Sequence, residues 1–151
     1  MRVLSLGDLQ QEIVGQHKEI RARIRGLTTN ALRAELPWAL RALRLLLLRF
    51  AARFDEHLGF EERELAPRIR ALDAWGSVRE AALLAEHREQ RRRLERVCAL
   101  ADDPFAAGAP DLAKAVLTLA SALLEDMAHE ERVLAELASI DENGHIDQMT
   151  G

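Results

Sequence analysis

Apolar residues recur every three or four positions along four long segments of this 151-residue chain, and this spacing constrains the fold more than any other feature. Stretches with proline, glycine or asparagine separate the segments. The predicted helices run from Asp8 into the Gly26–Asn30 stretch, from about Leu36 to Ala66, from Ser77 to about Ala101, and from about Asp111 to Ala138. Short connections favour antiparallel neighbours, so the sequence predicts an all-α, antiparallel, up-down-up-down four-helix bundle.

The predicted bundle forms a single domain over residues 8–138, since a chain of this length buries one core. Residues 1–7 form an N-terminal segment, and residues 139–151 form a tail that has no apolar period. Between the third and fourth helices, residues 102–110 include two prolines and a glycine and are predicted to form a loop.

Composition and charge exclude several classes of protein. Valine, isoleucine and aromatic residues are too sparse to build a sheet. The formal net charge is −4 and no face carries a basic excess, so no nucleic-acid partner is expected. The longest apolar run, Leu45–Leu48, is far shorter than the ~20 residues of a membrane span, so no membrane association is expected. A single cysteine and an N-terminus without the apolar stretch of a secretory signal predict a cytoplasmic protein.

Polar residues interrupt the apolar stripes of two helices at mid-length. The stripe of the second helix consists of Leu43, Leu47, Phe50, Phe54, His57 and Glu61. The stripe of the fourth helix consists of Leu112, Val116, Leu119, Leu123, Asp126, Glu130, Val133 and Leu137. An unpaired buried carboxylate costs several kcal/mol, so a cation or a satisfied polar network must compensate for these groups.

The two halves of the chain repeat one pattern about 70 residues apart: residues 17–24 resemble residues 87–94, and residues 61–66 resemble residues 130–135. In antiparallel neighbours, residues at the same depth lie equally far from the connecting turn. The midpoints between successive members of the set His17, His57, His87 and Asp126 all fall in or at the edge of predicted turns. The four side chains are therefore predicted to share one layer of the bundle.

Imidazole and carboxylate groups from facing helices are the ligands of dinuclear iron or manganese sites in bundles. In this interpretation His17 and His57 bind one metal ion, and His87 binds the other. Glu61 and Glu130 bridge the two ions. The full set of predicted ligands is His17, His57, Glu61, His87, Asp126, His129 and Glu130.

The fourth helix leaves two alternatives for the ligand that completes the second ion. Asp126 lies on the apolar stripe, whereas His129 lies beside both Asp126 and Glu130 on a half-buried edge. Glu130 ranks above His129 because its edge is more apolar. A buried polar network without metal is the alternative to the whole site.

One stretch, His57-Leu-Gly-Phe-Glu61-Glu62 followed by Leu65 and Pro67, resembles the second-helix motif of the hemerythrin-like family, also called the HHE cation-binding domain. The resemblance covers about residues 8–138, and His17 and His87 resemble the ligands of the first and third helices in that family. It implies a hemerythrin-like bundle with two iron ions, or alternatively manganese or zinc, that meet dioxygen or a related small molecule.

The fourth helix departs from that family pattern, because the expected histidine four residues before Glu130 is Asp126 here. A more anionic ligand set favours ferric iron and disfavours reversible oxygen carriage. The site then resembles carboxylate-rich di-iron proteins that activate oxygen, decompose peroxide or handle iron.

Three interpretations of function follow. The first is a redox-active di-iron protein whose partner is a small diatomic or peroxide ligand: dioxygen, peroxide or nitric oxide. The second is a metal-dependent sensing or binding module, or an iron-handling protein, without catalytic turnover. The third is a purely structural bundle. The sequence leaves open whether the protein is an enzyme.

Several apolar residues lie off the core stripe of the second helix, namely Trp38, Leu40, Leu45 and Leu48. We expect them to pack on apolar residues of the N-terminal segment, namely Val3, Leu4 and Leu6. The alternative is a homodimer contact.

Overall fold

The computed structural model describes the backbone of residues 3–102 and 109–149 and the side chains of residues 3–102 and 110–144. Within these residues the chain is helical almost throughout and contains no strand. The elements are α1 (Leu6–Ala31), α2 (Pro37–Phe60), a π-helical turn (Glu61–Leu65), α3 (Ala66–Leu72), α4 (Gly76–Asp102) and α5 (Ala109–Met149). The predicted all-α class is confirmed.

The long helices pack as a closed ring of four. Helix α1 contacts α2 and α5, and α4 contacts the same two helices from the other side. Helix α3 continues the line of α2 beyond the π-helical turn and packs on α4. The described residues therefore form the predicted up-down-up-down four-helix bundle.

The ends of two helices differ from the prediction. Helix α1 begins at Leu6 rather than at Asp8, because Ser5 is the N-cap: its hydroxyl accepts a hydrogen bond from the Asp8 N–H (3.0 Å), and the Asp8 carboxylate accepts one from the Ser5 N–H (3.1 Å). Helix α5 continues beyond Ala138 to Met149. Of the predicted loop 102–110, residues 103–108 lie outside the described residues.

The second helix was predicted to end at about Ala66, but the chain stays helical through Pro67 to Leu72. The backbone widens into a π-helical turn just before Pro67. The Ala66 N–H donates to the Glu61 carbonyl five residues earlier, which accommodates one extra residue. In an α-helix, four-residue steps drift around the axis by about 40° each. The wider turn offsets this drift, so that Glu61, Leu65 and Ile69 all stay buried on the same face.

The polar layer divides the apolar core into two clusters. One cluster includes Ile20, Phe54, Leu94 and Met127, and the other includes Ile13, Leu65, Leu83 and Leu134. Between them lie the buried polar and charged side chains of the described residues, which are His17, His57, Glu61, His87 and Gln90. The predicted common level for the three histidines is confirmed.

The prediction that the N-terminal segment packs on the apolar residues of α2 was wrong. Trp38, Leu45 and Leu48 are about half exposed, at 52%, 51% and 50%. Leu6 is instead buried with the core cluster at the other end of α1, about 39 Å of helix away from the α1–α2 turn. The N-terminal segment therefore lies too far away to pack on Trp38, Leu45 and Leu48. The homodimer contact stays a prediction.

Among the described residues, no helix combines the length and the apolar character that crossing a membrane requires.

Candidate metal centre

Three fully buried histidines face the interior from three helices: His17 from α1, His57 from α2 and His87 from α4, with exposed fractions of 0%, 2% and 1%. Each histidine lies on the apolar stripe of its helix, and the apolar residues of that stripe are buried in the core. The ligand atoms of His17, His57, Glu61 and Glu130 all lie within 4.8 Å of one another. Four donors at this separation suit a single metal ion.

Glu61 lies between the histidines and directs its two oxygens to different sides. Its Oε1 lies 2.8 Å from His57 Nε2 and 3.7 Å from His17 Nε2. Its Oε2 lies 2.9 Å from His87 Nε2. A carboxylate in this position has the geometry of a bridging ligand between two cations.

The outward nitrogens of two histidines have hydrogen-bond partners that fix the rings. His57 Nδ1 lies 2.8 Å from Gln16 Oε1, and His87 Nδ1 lies 3.0 Å from Glu62 Oε1. Both partners accept through oxygen, so each Nδ1 can donate to its partner, which leaves Nε2 as the nitrogen that would bind a cation. Such outer partners orient histidine ligands and raise their basicity.

The repeated halves of the chain build matching supports around the centre. Glu62, beside Glu61, forms an ion pair with Arg91, which lies four residues after His87 (2.5 Å). In the other half, Glu131 forms an ion pair with Arg21, and its Oε1 lies 3.7 Å from His17 Nδ1. The second glutamate of each Glu-Glu pair thus supports the histidine of the opposite half.

Four of the polar groups around the site were not predicted from the sequence, namely Gln16, Glu62, Gln90 and Glu131. The repeated Glu-Glu pair, with an arginine four residues after His17 and His87, was a usable signal for Glu62 and Glu131. Gln16 and Gln90 carry no comparable signal, because an isolated glutamine on a helix is usually solvated.

A small cavity of about 10 Å³ lies at the middle of the layer. Its polar lining consists of His17, His57, Glu61, Gln90, Asp126 and Glu130. Besides His17 Nδ1, four buried atoms of these residues make no contact with the geometry of a hydrogen bond, namely His17 Nε2, Glu61 Oε1, Gln90 Oε1 and Glu130 Oε1, although Glu61 Oε1 lies 2.8 Å from His57 Nε2. His17 Nε2 and Glu130 Oε1 are only 3.1 Å apart, but their geometry is not that of a hydrogen bond. Orphaned nitrogen and oxygen atoms around a cavity of atomic size fit a bound cation.

Burial and neighbouring charges shift the pKa values of three groups at this site. Burial opposes a charge on His17, but the carboxylates of Glu130 and Glu61 outweigh it and raise the pKa of His17 to about 9. Burial, together with the charge of Glu61, raises the pKa of Glu130 to about 8. Burial alone would also raise the pKa of Glu61, but contacts with the three histidines hold it well below its usual range. Cation binding must therefore displace protons.

The two remaining predicted ligands, Asp126 and His129, differ in burial and in contacts. Asp126 is half-buried and lines the central cavity, and its Oδ2 accepts a hydrogen bond from Gln90 Nε2 (3.2 Å). The fully buried position on this part of α5 belongs to Met127. His129 is exposed and lies outside the group of four close ligands. Asp126 and His129 lie on the same side of the buried stripe of α5, about 60° apart around the helix axis, and Asp126 is the nearer of the two to the stripe.

Comparison with known proteins agrees with this geometry. The family model described as the Hemerythrin HHE cation binding domain matches residues 8–138. The searches of curated proteins and of solved structures gave no match. The matched range contains every residue of the buried histidine and glutamate cluster. The chain therefore belongs to the hemerythrin HHE cation-binding domain family, and this cluster is its candidate metal site.

Proposed function

We propose that this chain is a non-haem di-iron protein that binds or reacts with dioxygen, peroxide or nitric oxide in a redox or oxygen response. The observation that carries the proposal is Glu61, whose two oxygens face different histidines 2.8 and 2.9 Å away. One carboxylate shared in this way lets two cations sit side by side while its negative charge offsets part of their repulsion.

In this proposal, His17 and His57 hold the first cation and His87 holds the second. Glu61 and Glu130 lie between them, and Asp126 lies at the rim. His129 has no direct role in binding the cations, because its side chain is exposed. Mixed imidazole and carboxylate donors suit iron, with manganese and zinc as competitors.

Bound iron would supply the electron transfer that reaction with dioxygen, peroxide or nitric oxide requires. Other residues of the protein position the metal ligands and restrict the access of water to the cavity. Gln16 and Glu62 fix two imidazole rings, while Phe54, Leu58 and Met127 form the apolar wall of the central cavity.

A second cavity supports a small ligand. It has a volume of about 190 Å³, and Glu130 is one of its lining residues. Seven of its eleven lining residues are apolar, among them Leu65, Leu83, Leu134 and Leu137, and the other four are Arg79, Glu86, His129 and Glu130. Small uncharged molecules such as dioxygen and nitric oxide partition favourably into apolar space, so this cavity offers them a route to the site.

Metal analysis after expression in iron-rich medium tests the proposal. We expect about two irons per chain and a visible absorption that changes on mixing with dioxygen, peroxide or nitric oxide. A matched double variant, His57→Leu with Glu61→Leu, should lose both the iron and the colour. A colourless, metal-free wild-type protein from the same culture would count against the proposal.

The second candidate function is a sensing or binding module in which cation occupancy controls stability without turnover. Its support is the set of four orphaned buried atoms around the central cavity, because a cation that satisfies them stabilises the folded state. In this case chelation should lower the melting temperature sharply, while the iron-loaded protein should leave peroxide and nitric oxide unchanged. Steady consumption of either molecule by the loaded protein would exclude it.

A further inference from the structure

Gln90 is the buried polar residue of the layer that neither the repeat nor the predicted ligand set explains. It lies on α4 one turn after His87 and is only 6% exposed. In the repeated pattern of the first half, the equivalent position is Ile20, which is a core residue. An apolar side chain would thus suit the packing of this position, so the amide needs another explanation.

The orientation of the Gln90 amide is fixed by its neighbour. Its Nε2 donates to Asp126 Oδ2 over 3.2 Å, and a carboxylate can only accept a hydrogen bond. The amide nitrogen therefore lies on the Asp126 side, and Oε1 lies away from it. Oε1 is buried, has no hydrogen-bond partner, and belongs to a residue that lines the 10 Å³ cavity.

We propose that Gln90 Oε1 is a direct ligand of the cation on the His87 side of Glu61. The inference rests on the proposed pair of cations. His87 supplies one nitrogen to this position and Glu61 supplies Oε2, whereas the other position has two imidazoles, from His17 and His57. An amide oxygen adds a neutral, hard donor to the side with fewer ligands.

The two cation positions consequently differ in chemistry. The His17 side is richer in nitrogen, and the His87 side is richer in oxygen from Glu61, Gln90 and Asp126. Because it has one imidazole instead of two, the His87 side should bind its ion more weakly and exchange it faster than the His17 side.

Gln90 could instead act only by holding Asp126 in place, and two substitutions separate these roles. Gln90→Met keeps the length of the side chain but removes both the oxygen donor and the N–H donor. Gln90→Glu keeps an oxygen donor but loses the N–H that binds Asp126. A ligand role tolerates the glutamate, because a cation between two carboxylates compensates their charge, whereas a positioning role does not.

The test is a Mn²⁺ titration of the metal-free full chain, with free Mn²⁺ followed by electron paramagnetic resonance and bound Mn²⁺ by elemental analysis. Far-ultraviolet circular dichroism checks that each variant is folded. The exposed Gln11→Met on α1 is the matched control. We expect two bound ions in the wild type, the control and Gln90→Glu. In Gln90→Met, the affinity for the second ion should fall by at least about 10- to 100-fold, with the first ion unchanged.

Two results would overturn the inference and leave the proposed pair of cations intact. One is a Gln90→Met protein that binds both ions with wild-type affinity. The other is loss of the second ion in both variants, which would make Gln90 a positioning residue for Asp126. A wild-type chain that binds fewer than two ions would instead overturn the proposed di-metal site itself.

Discussion

Glu61→Gln is the most informative single change, because Glu61 is the one carboxylate among the described residues that contacts all three buried histidines. The substitution keeps the shape of the side chain but removes its charge and replaces one oxygen with an NH₂ group. One cation position therefore loses its shared oxygen, and both positions lose the shared negative charge. We expect weaker binding of both ions.

The magnitude of this effect can be bounded from below. Changes in the outer partners of metal ligands already lower affinity by about 10- to 100-fold, which corresponds to about 1.4–2.8 kcal/mol for each ion. Over two ions, the metal-dependent stabilisation should fall by about 3–6 kcal/mol when free metal is in excess. For a chain of this size, each kcal/mol shifts the melting temperature by about 2–4 °C. The metal-induced rise in Tm should thus shrink by about 6–24 °C.

The assay is thermal unfolding by circular dichroism, with Fe²⁺ under anaerobic conditions and with a chelator. The control is Glu64→Gln, which makes the same chemical change on an exposed position of the same π-helical turn. The control should show the wild-type metal-induced shift. If Glu61→Gln also shows the full wild-type shift, then Glu61 does not bridge the two cations.

Three further predictions concern protonation, ligand choice and a tight turn. The pKa values of His17 (about 9) and Glu130 (about 8) lie above their ordinary values of 6.5 and 4.5, so they stabilise the metal-free fold at low pH and this contribution is lost as pH rises to about 9. The Mn²⁺-induced rise in Tm should therefore grow from pH 6.5 to 9; a constant rise would contradict this. His129→Ala should retain both ions in elemental analysis while Glu130→Gln loses affinity, and the reverse ranking would show that the wrong residue of α5 was assigned. Gly76→Ala should destabilise the fold by about 1–3 kcal/mol in urea unfolding, because its Cβ would clash with the carbonyl oxygen of Arg70; unchanged stability would show that this turn relaxes.

The level of the histidines in the bundle was predictable because depth along a helix is a simple count. Each residue adds the same rise, so equal distances from a turn place His17, His57 and His87 in one layer. The apolar stripe of α2 was predictable for a similar reason, since local spacing alone separates the buried face from the exposed one. Both predictions used information that lies within one helix and its neighbouring turn.

The predicted stripe of α5 is confirmed at Leu112, Val116, Leu119, Leu123 and Leu137, but at mid-length the buried positions are Met127 and Leu134 rather than Asp126 and Val133. This local shift was not predictable from spacing. A stripe through Asp126 and Val133 and a stripe through Met127 and Leu134 have nearly the same period, yet neighbouring residues differ by about 100° around the helix. Packing against α1 and α4 selects the second stripe, which buries Met127 and Leu134 and leaves Asp126 at the rim. Similarly, Pro67 indicates a helix end locally, but the π-helical turn lets the arm continue and pack on α4.

The sequence by itself determined that four amphipathic helices form a bundle and that three histidines and a glutamate lie at a common depth within it, because helical period and rise are local properties. Only the tertiary structure decided which groups meet across helices: Gln16 with His57, Glu62 with His87, and Gln90 with the rim of the cavity. Those contacts depend on the rotation of each helix and on side-chain rotamers, which packing among all four helices sets together.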